Sequence, residues 1–338
     1  MEHITGDVGR IGDVCVAFGA FDGFHLGHRA CLDLLLSVSK TSGVPAAILS
    51  FDQDNVTGDD KILSTEAEKA YYLKGTGLDI LVSLPQDLWR LPTAQFVEDV
   101  LVGRFGASGG GVEFGGAAAG GDGAVAVGAV GGSASDVNAA PGGFVAHGIH
   151  AVVAGEDSPY LPALQDAADR GAFSLHVCKT VRAGGEPITS NRVIQAIESD
   201  DMPTAIAMLG HPYLIQGEVV YGKQLGRTVG LPTANISFIS NKLLPADGIY
   251  GTISDMDGKR MRGIANIGLR PTVDNFAYRT VENFIFDFDG DIYGKTVSLE
   301  NYLKVRGVRK FKDLAEVKLQ VNLDSEVVVA HFDKEGIS

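Results

Sequence analysis

The chain has 338 residues, 45% of them hydrophobic, and a formal net charge of −14. That length predicts two domains, and that charge excludes an extended basic face for nucleic acid but not a nucleotide site, where local donors and cations hold the phosphates. Three scattered cysteines, Cys15, Cys31 and Cys178, form no CxxC pair and argue against a disulfide framework or a zinc site.

Asp13 to Phe18 reads as a short β-rich run ending at Gly19. "RACLDLLLSVSKTSG" then spaces leucines at helical intervals and stops at Gly43. "VPAAILSF" is the next strand, and "STEAEKAYYLKGTG" opens a helix with Thr65 three residues before Glu68, the spacing of a capping box. "LDILVSL" and "TAQFVEDVLVGRF" continue as strand and helix, so βαβ units and a parallel sheet are expected. From Gly103 to about Gly148 the pattern gives way to Gly, Ala, Ser and Val, a low-complexity insertion (103–148) with little to pack. Regular signals resume with "HAVVAGED" (strand), "LPALQDAADRGA" (helix), "FSLHVCKTV" (strand) and a helical stretch from Ser190 to Gly210 interrupted near Pro203.

After Gly210 short alternating runs, divided by Gly, Asp and Pro, predict a small all-β barrel. A closing helix is expected over "KDLAEVKLQVNLDSEVVVAHF", with Leu314, Val317 and Val321 on its inward stripe. The expected fold class is therefore α/β, a Rossmann-like parallel-sheet domain over 1–205, followed by a small antiparallel β-barrel with a C-terminal helix over 206–338. No signal peptide and no run of roughly 18 apolar residues is visible, so a cytoplasmic protein without membrane or nucleic-acid partners is expected.

"FGAFDGFHLGH" places His25 and His28 where a strand hands over to a helix. Unpaired amides at a helix start suit a phosphate, two imidazoles there can donate to it, and Gly27 lets backbone approach closely. A metal pair would lack its third ligand. "GAFDGFHLGH" resembles the signature of the HIGH-type nucleotidyltransferase superfamily, in the FDGxHxGH form of bacterial FAD synthetases. The resemblance implies transfer of the AMP of ATP to a phosphate acceptor, with His25 and His28 on the ATP phosphates. It also implies ATP contacts from Gly19, Phe21, Asp22, Gly23 and Gly27, and from Ser190, Asn191 and Arg192 in "ITSNRVI".

"GKQLGRTVGLPTAN" is by itself a turn-rich connection in which Pro232 stiffens the chain, Thr233 offers a hydroxyl suited to Mg²⁺ and Asn235 a neutral amide. Glu282 sits on a strand facing opposite to Val281 and Asn283; it is a proton acceptor if it faces a ligand, and a solvated strand glutamate if it does not. In order, "GEVVYGKQLGRTVGLPTANI", "LPADGIYG", "GIANIGLRPTV", "VENFIFDFDGDIYGK" and "LKVRGVRKF" resemble riboflavin kinase from end to end. That resemblance implies that Thr233 and Asn235 bind ATP–Mg²⁺ and that Glu282 is the base for the riboflavin 5′-hydroxyl. Gly222, Gly226, Arg227, Gly230 and Pro232 would cover the nucleotide, with Arg306 and Phe311 at the flavin.

Together the halves are similar to the bacterial bifunctional riboflavin kinase/FAD synthetases, which implies riboflavin, FMN and ATP as ligands and Mg²⁺ as cofactor. The first half departs from that pattern. Ala20 stands for an asparagine, "FDQDN" for an FDPHP-like stretch, and "AGED" (Ala154 to Asp157) and "EFG" near Phe114 split one segment. Ile194 replaces an arginine expected at the ATP phosphates, unless Arg192 substitutes for it. Three readings stay open: a bifunctional enzyme, a kinase with a degenerate adenylyltransferase half, and a non-catalytic flavin- or nucleotide-binding regulator.

Overall fold

The computed structural model describes residues 1–5, 13–54, 60–104, 148–222, 230–271 and 277–337. The Gly/Ala-rich stretch, including Phe114, lies almost wholly outside them.

Six parallel strands form the first unit: β1 (Glu2–Thr5), β2 (Val14–Gly19), β3 (Ala46–Phe51), β4 (Ile80–Leu84), β5 (Ile149–Gly155) and β6 (Ser174–Cys178). Their order is β1-β4-β3-β2-β5-β6, so the chain winds outward in both directions from the β2–β5 pair. That pair is the switch point at which open α/β sheets form a crevice at the carboxyl ends of their strands. Period-two alternation divides β2 and β3 between two cores. Val14, Val16, Ala47 and Leu49 pack under the π-helical segment Phe96–Arg104 that continues α3 (Thr93–Gln95), and under α4 (Leu161–Asp169). Cys15, Ala17, Ala46 and Ile48 pack under α1 (Leu26–Ser42) and α2 (Glu66–Leu73).

Helix ends follow local chemistry. Gly43 closes α1 in the left-handed region (φ 71°), and Thr65 with Glu68 makes the expected capping box on α2. β1 escapes sequence detection because it is a four-residue, mostly exposed edge strand. The helical stretch after Ser190 is two helices, α5 (Ser190–Glu198) and α6 (Met202–Leu209). Pro203 is not the breaker. The chain turns at Asp200 (φ 63°), Asp201 caps α6, and Pro203 sits in its first turn, where a missing N–H costs nothing.

The ribbon β7 (Arg182–Ala183) and β8 (Glu186–Pro187) precedes α5. Then β9 (Tyr213–Val220), β10 (Ala234–Ile236), β11 (Gly248–Met256), β12 (Lys259–Pro271), β13 (Ala277–Ile285) and β14 (Thr296–Arg306) close an antiparallel barrel ordered β10-β13-β12-β11-β14-β9. A buried cluster continues from Leu63, Val193, Ile197 and Met208 into Tyr213, Ile215 and Val297, so the α/β unit and the barrel share a core.

α7 (Leu314–Glu335) lies across β11, β12 and β14. Gly251 makes this possible: a Cβ there would fall 2.5 Å from Leu303 and 3.0 Å from Val328. The expected stripe continues as the inward face of α7: Val317 and Val321 are half-buried, and Asp324, Val328 and Phe332 at the same helical phase are buried. Leu314, in the first turn, is the exception at 46% exposed. Asp324 on that face meets the Arg306 guanidinium at 2.7 Å, and Leu319, Leu323 and Val327 lie on the opposite face and point out. We expect Phe332→Ala to lower unfolding stability by about 3–5 kcal/mol and Leu314→Ala to change it by less than about 0.5 kcal/mol, read by urea titration.

Candidate functional site

Two cavities collect the chemistry. The first, of about 230 Å³, opens at the carboxyl ends of β2, β5 and β6, where the N-termini of α1 and α5 converge. Unpaired amides of two helix starts meeting at one cleft favour an anion. Gly19, Phe21, His25, Gly27, His28 and Thr189 line it. His25 is the N-cap of α1: its Nδ1 accepts from the His28 amide at 3.3 Å, and the two rings stack 3.8 Å apart. His28 Nδ1 is buried without a hydrogen-bond partner, an unsatisfied atom at a site that awaits a polar ligand. Burial pushes His25 down to about 4, and burial together with the neighbouring His25 holds His28 well below the ordinary imidazole range. Both rings are therefore neutral at pH 7 in this form, and can donate a hydrogen bond without carrying charge.

The other expected ATP contacts of this half lie apart from the cavity wall. Asp22 is buried, its carboxylate accepting from the Leu63 and Ser64 amides at 2.8 Å each. Gly23 donates its amide to Ser64 Oγ at 2.6 Å; its φ is left-handed (76°), and a Cβ there would fall 2.6 Å from Leu63, so the position requires glycine. Ser190 Oγ donates to the Asp22 carbonyl (2.8 Å), and Asn191 is exposed. Arg192 does not reach into the cavity. Its guanidinium donates to the carbonyls of Glu186, Pro187 and Ala183 and pins the β7–β8 ribbon. Ile194 packs against the shared core. Among the described residues lining the cavity, Lys179 at the end of β6 is the one Lys or Arg. Nothing in "VCKTV" singles it out, because only the fold brings β6 beside β5. Cys31 and Cys178 also meet here, and burial pushes the Cys31 thiol up to about 12, away from a reactive thiolate.

The second cavity, about 570 Å³, lies at the barrel mouth between β9, β10 and the segment after β13. Pro232 and Thr233 line one side, Asp289 and Asp291 the other, and Tyr221 stacks on Tyr293 at 3.8 Å. Asn235 on β10 pairs with Glu282 on β13, which pairs in turn with Asn266 on β12. Cross-strand partners share a face, so these three side chains form one outward row. Val281 and Asn283 point inward; Asn283 is fully buried and bonds Thr252 and Ser254. A Cβ at Gly222 would lie 2.2 Å from Asn235 Nδ2, so glycine is what keeps that amide unobstructed. Gly230 is left-handed (φ 77°); Gly226 and Arg227 lie outside the described residues.

Arg306 and Phe311 come together, the guanidinium 5.7 Å from the ring centre while it also holds Asp324. Thr233, Asn235 and Glu282 offer a hydroxyl, an amide oxygen and a carboxylate, oxygen donors of the kind that suit a magnesium ion brought with phosphates. Thr233 lines the cavity, whereas Asn235 and Glu282 face outward and are not part of its wall, which holds the inward Ala234 and Asn283 instead. Of the lining residues, Tyr221 and Tyr293 went undetected because two tyrosines far apart in sequence declare their stacking only once the barrel closes.

Residues 209–332 match the riboflavin kinase family and residues 10–124 the FAD synthetase family. The bifunctional riboflavin kinase/FMN adenylyltransferase of Escherichia coli (strain K12) is 30% identical over 323 residues, 92% of this chain and 90% of that protein. Its counterpart from Bacillus subtilis (strain 168) is 24% identical over 334 residues, 94% and 92% of the two chains. A crystal structure described as a macrolide-efflux protein from Streptococcus pneumoniae has a TM-score of 0.71 at 23% identity, covering 97% of this chain and 99% of that one, a likeness of fold.

The depressed imidazoles set a sign for acid stability. Between about pH 6.5 and 4 the unfolded chain takes up protons at His25 and His28 while the folded chain does not. These residues therefore withdraw stability as pH falls through that window. A His25→Asn/His28→Asn variant is expected to lose less unfolding free energy than the parent between those pH values in urea titrations; equal losses would refute the assignment.

Proposed function

The chain belongs to the bifunctional riboflavin kinase/FMN adenylyltransferase family, and from that we propose how its two cavities divide the work. The protein is a transferase of flavin biosynthesis. Its barrel phosphorylates riboflavin to FMN and its α/β unit adenylylates FMN to FAD, both from ATP. We assign the division to residues 1–205 and 206–338. The observation that carries the kinase assignment is the register that sets Glu282 directly opposite Asn235.

In the kinase step the 5′-hydroxyl of riboflavin gives its proton to the Glu282 carboxylate while its oxygen attacks the γ-phosphorus of ATP, and ADP departs. Thr233 and Asn235 would hold the magnesium ion, whose chemistry there is to neutralise charge on the phosphates. Gly222, Gly230 and Pro232 would lie against the nucleotide. Arg306 and Phe311 present a cation and an aromatic face suited to the flavin.

In the adenylyl step a phosphate oxygen of FMN attacks the α-phosphorus of ATP and pyrophosphate departs. Gly19, Phe21 and Gly27 supply close backbone approach, and His25 and His28 donate hydrogen bonds to the phosphates. Asp22 and Gly23 shape the turn, with Ser190 tying α5 to it. The charge that Ile194 no longer supplies, and that Arg192 commits to carbonyls, falls to Lys179. That same commitment of Arg192 favours a second reading, a kinase whose adenylyltransferase half has lost its rate. A cytoplasmic location belongs to the proposal, supported by the finding that no helix among the described residues is long and apolar enough to cross a membrane.

Incubation with riboflavin, ATP and Mg²⁺, followed by chromatography, should yield FMN and then FAD; FMN without FAD, even from supplied FMN, would select the second reading. Glu282→Gln should lower kinase kcat about 10²- to 10⁴-fold with riboflavin binding retained. Lys179→Ala should lower kcat/KM for FAD formation about 10- to 100-fold, the weight of a charged hydrogen bond.

A further inference from the structure

The turn that presents His25 is strained. Phe21 and Phe24 both adopt left-handed backbone (φ 48° and 43°), a conformation that non-glycine residues hold only where their surroundings over-determine it. What fixes it is a clamp. Asp22 Oδ1 takes the amides of Leu63 and Ser64, Gly23 N–H donates to Ser64 Oγ, and Leu63 packs where a Gly23 side chain would stand.

The other side of the clamp is held from the barrel. The Leu63 carbonyl accepts from Lys242 Nζ at 2.5 Å, and the same ammonium donates to Glu68 Oε2 at 2.6 Å and the Leu214 carbonyl at 2.8 Å. Three donors meet three acceptors, and the side chain is 1% exposed. Backbone bonds from Ile62 to Asn241 and from Leu243 back to Ile62 lock the two segments in register on either side of that lysine.

We propose that Lys242, in the riboflavin-kinase half of the chain, is a positioning residue for the adenylyl-transfer cavity, acting through Leu63 and Asp22 on the turn that carries His25 and His28. It touches no substrate. Its chain of contacts runs from Lys242 to Leu63, from Leu63 to Asp22, and along three residues of backbone to His25. The inference rests on the assignment of adenylyl transfer to that cavity, so its test needs a readout that does not depend on FAD formation.

In the full-length protein, Lys242→Met should shift the ring NMR signals of His25 and His28 while those of His150 and His331 stay in place. It should raise the KM for ATP in FAD formation about tenfold or more, with kinase kcat/KM within about twofold of the parent. Lys242→Arg should restore part of the loss. Because Lys242→Met strands the Glu68 carboxylate, the charge-neutral pair Glu68→Gln/Lys242→Met is measured beside it, and it decides the outcome if the single variant does not fold. Unmoved His25 and His28 signals would overturn the proposal, as would kinase and adenylyl rates falling in parallel. If the parent itself makes no FAD, the functional assignment fails separately and the ring signals alone decide the positioning role.

Discussion

The buried ion pair of Glu68 and Lys242 is the interaction on which the relation between the two halves depends. Removing both charges from water costs several kcal/mol per ion, and such a pair persists only when every donor and acceptor is used. Here the accounting closes. Lys242 spends its three protons on Glu68, Leu63 and Leu214, and Glu68 accepts from Lys242, Thr65 N–H and Gln216 N–H. Burial pushes the carboxyl up and the ammonium down, yet each holds the other ionised through a 2.6 Å contact. Tyr71, one turn along α2, repeats the arrangement less deeply by donating to Glu300 and Asp255 of the barrel.

On the proposed reading both cavities take a polyphosphate, and they differ in size and charge. Among its described lining residues the α/β cavity has neutral imidazoles, helix starts, Lys179 and one carboxylate, Asp157, in a small recess. The barrel cavity is larger and carries Asp289 and Asp291 on its wall, so on the same reading a phosphate would enter it together with a cation. The acidic net charge of the whole chain is no obstacle in either place, because both sites are built from local groups.

Where local chemistry dictates structure, the sequence could be read closely. The capping box at Thr65, the stop at Gly43 and the opposed faces of Glu282 and Asn283 all follow from spacings of one to four residues. What resisted reading depends on partners distant in sequence. Leu314 fits the inward stripe by periodicity and shares the phase of buried Phe332, yet it is exposed in the first turn of α7, and where packing begins along a helix is set by the folded barrel and not by spacing. Asp22 sits in the phosphate motif and serves Leu63 and Ser64, and Arg192 serves a ribbon that periodicity does not reveal. Lys179 reaches the cavity because β6 is laid beside β5, which strand order decides and composition does not.

The capping box on α2 has a consequence in time. Glu68 and Lys242 are separated by 174 residues, so at ordinary rates of synthesis the carboxylate waits on the order of ten to thirty seconds for its counter-ion to emerge. Through that interval the carboxylate can accept from the Thr65 amide while the Glu68 amide donates to the Thr65 hydroxyl, two local bonds that hold the glutamate at the start of its helix. A residue that caps a helix in the finished protein thereby acts as a placeholder during its birth, keeping the docking face of the first half preset until the barrel arrives.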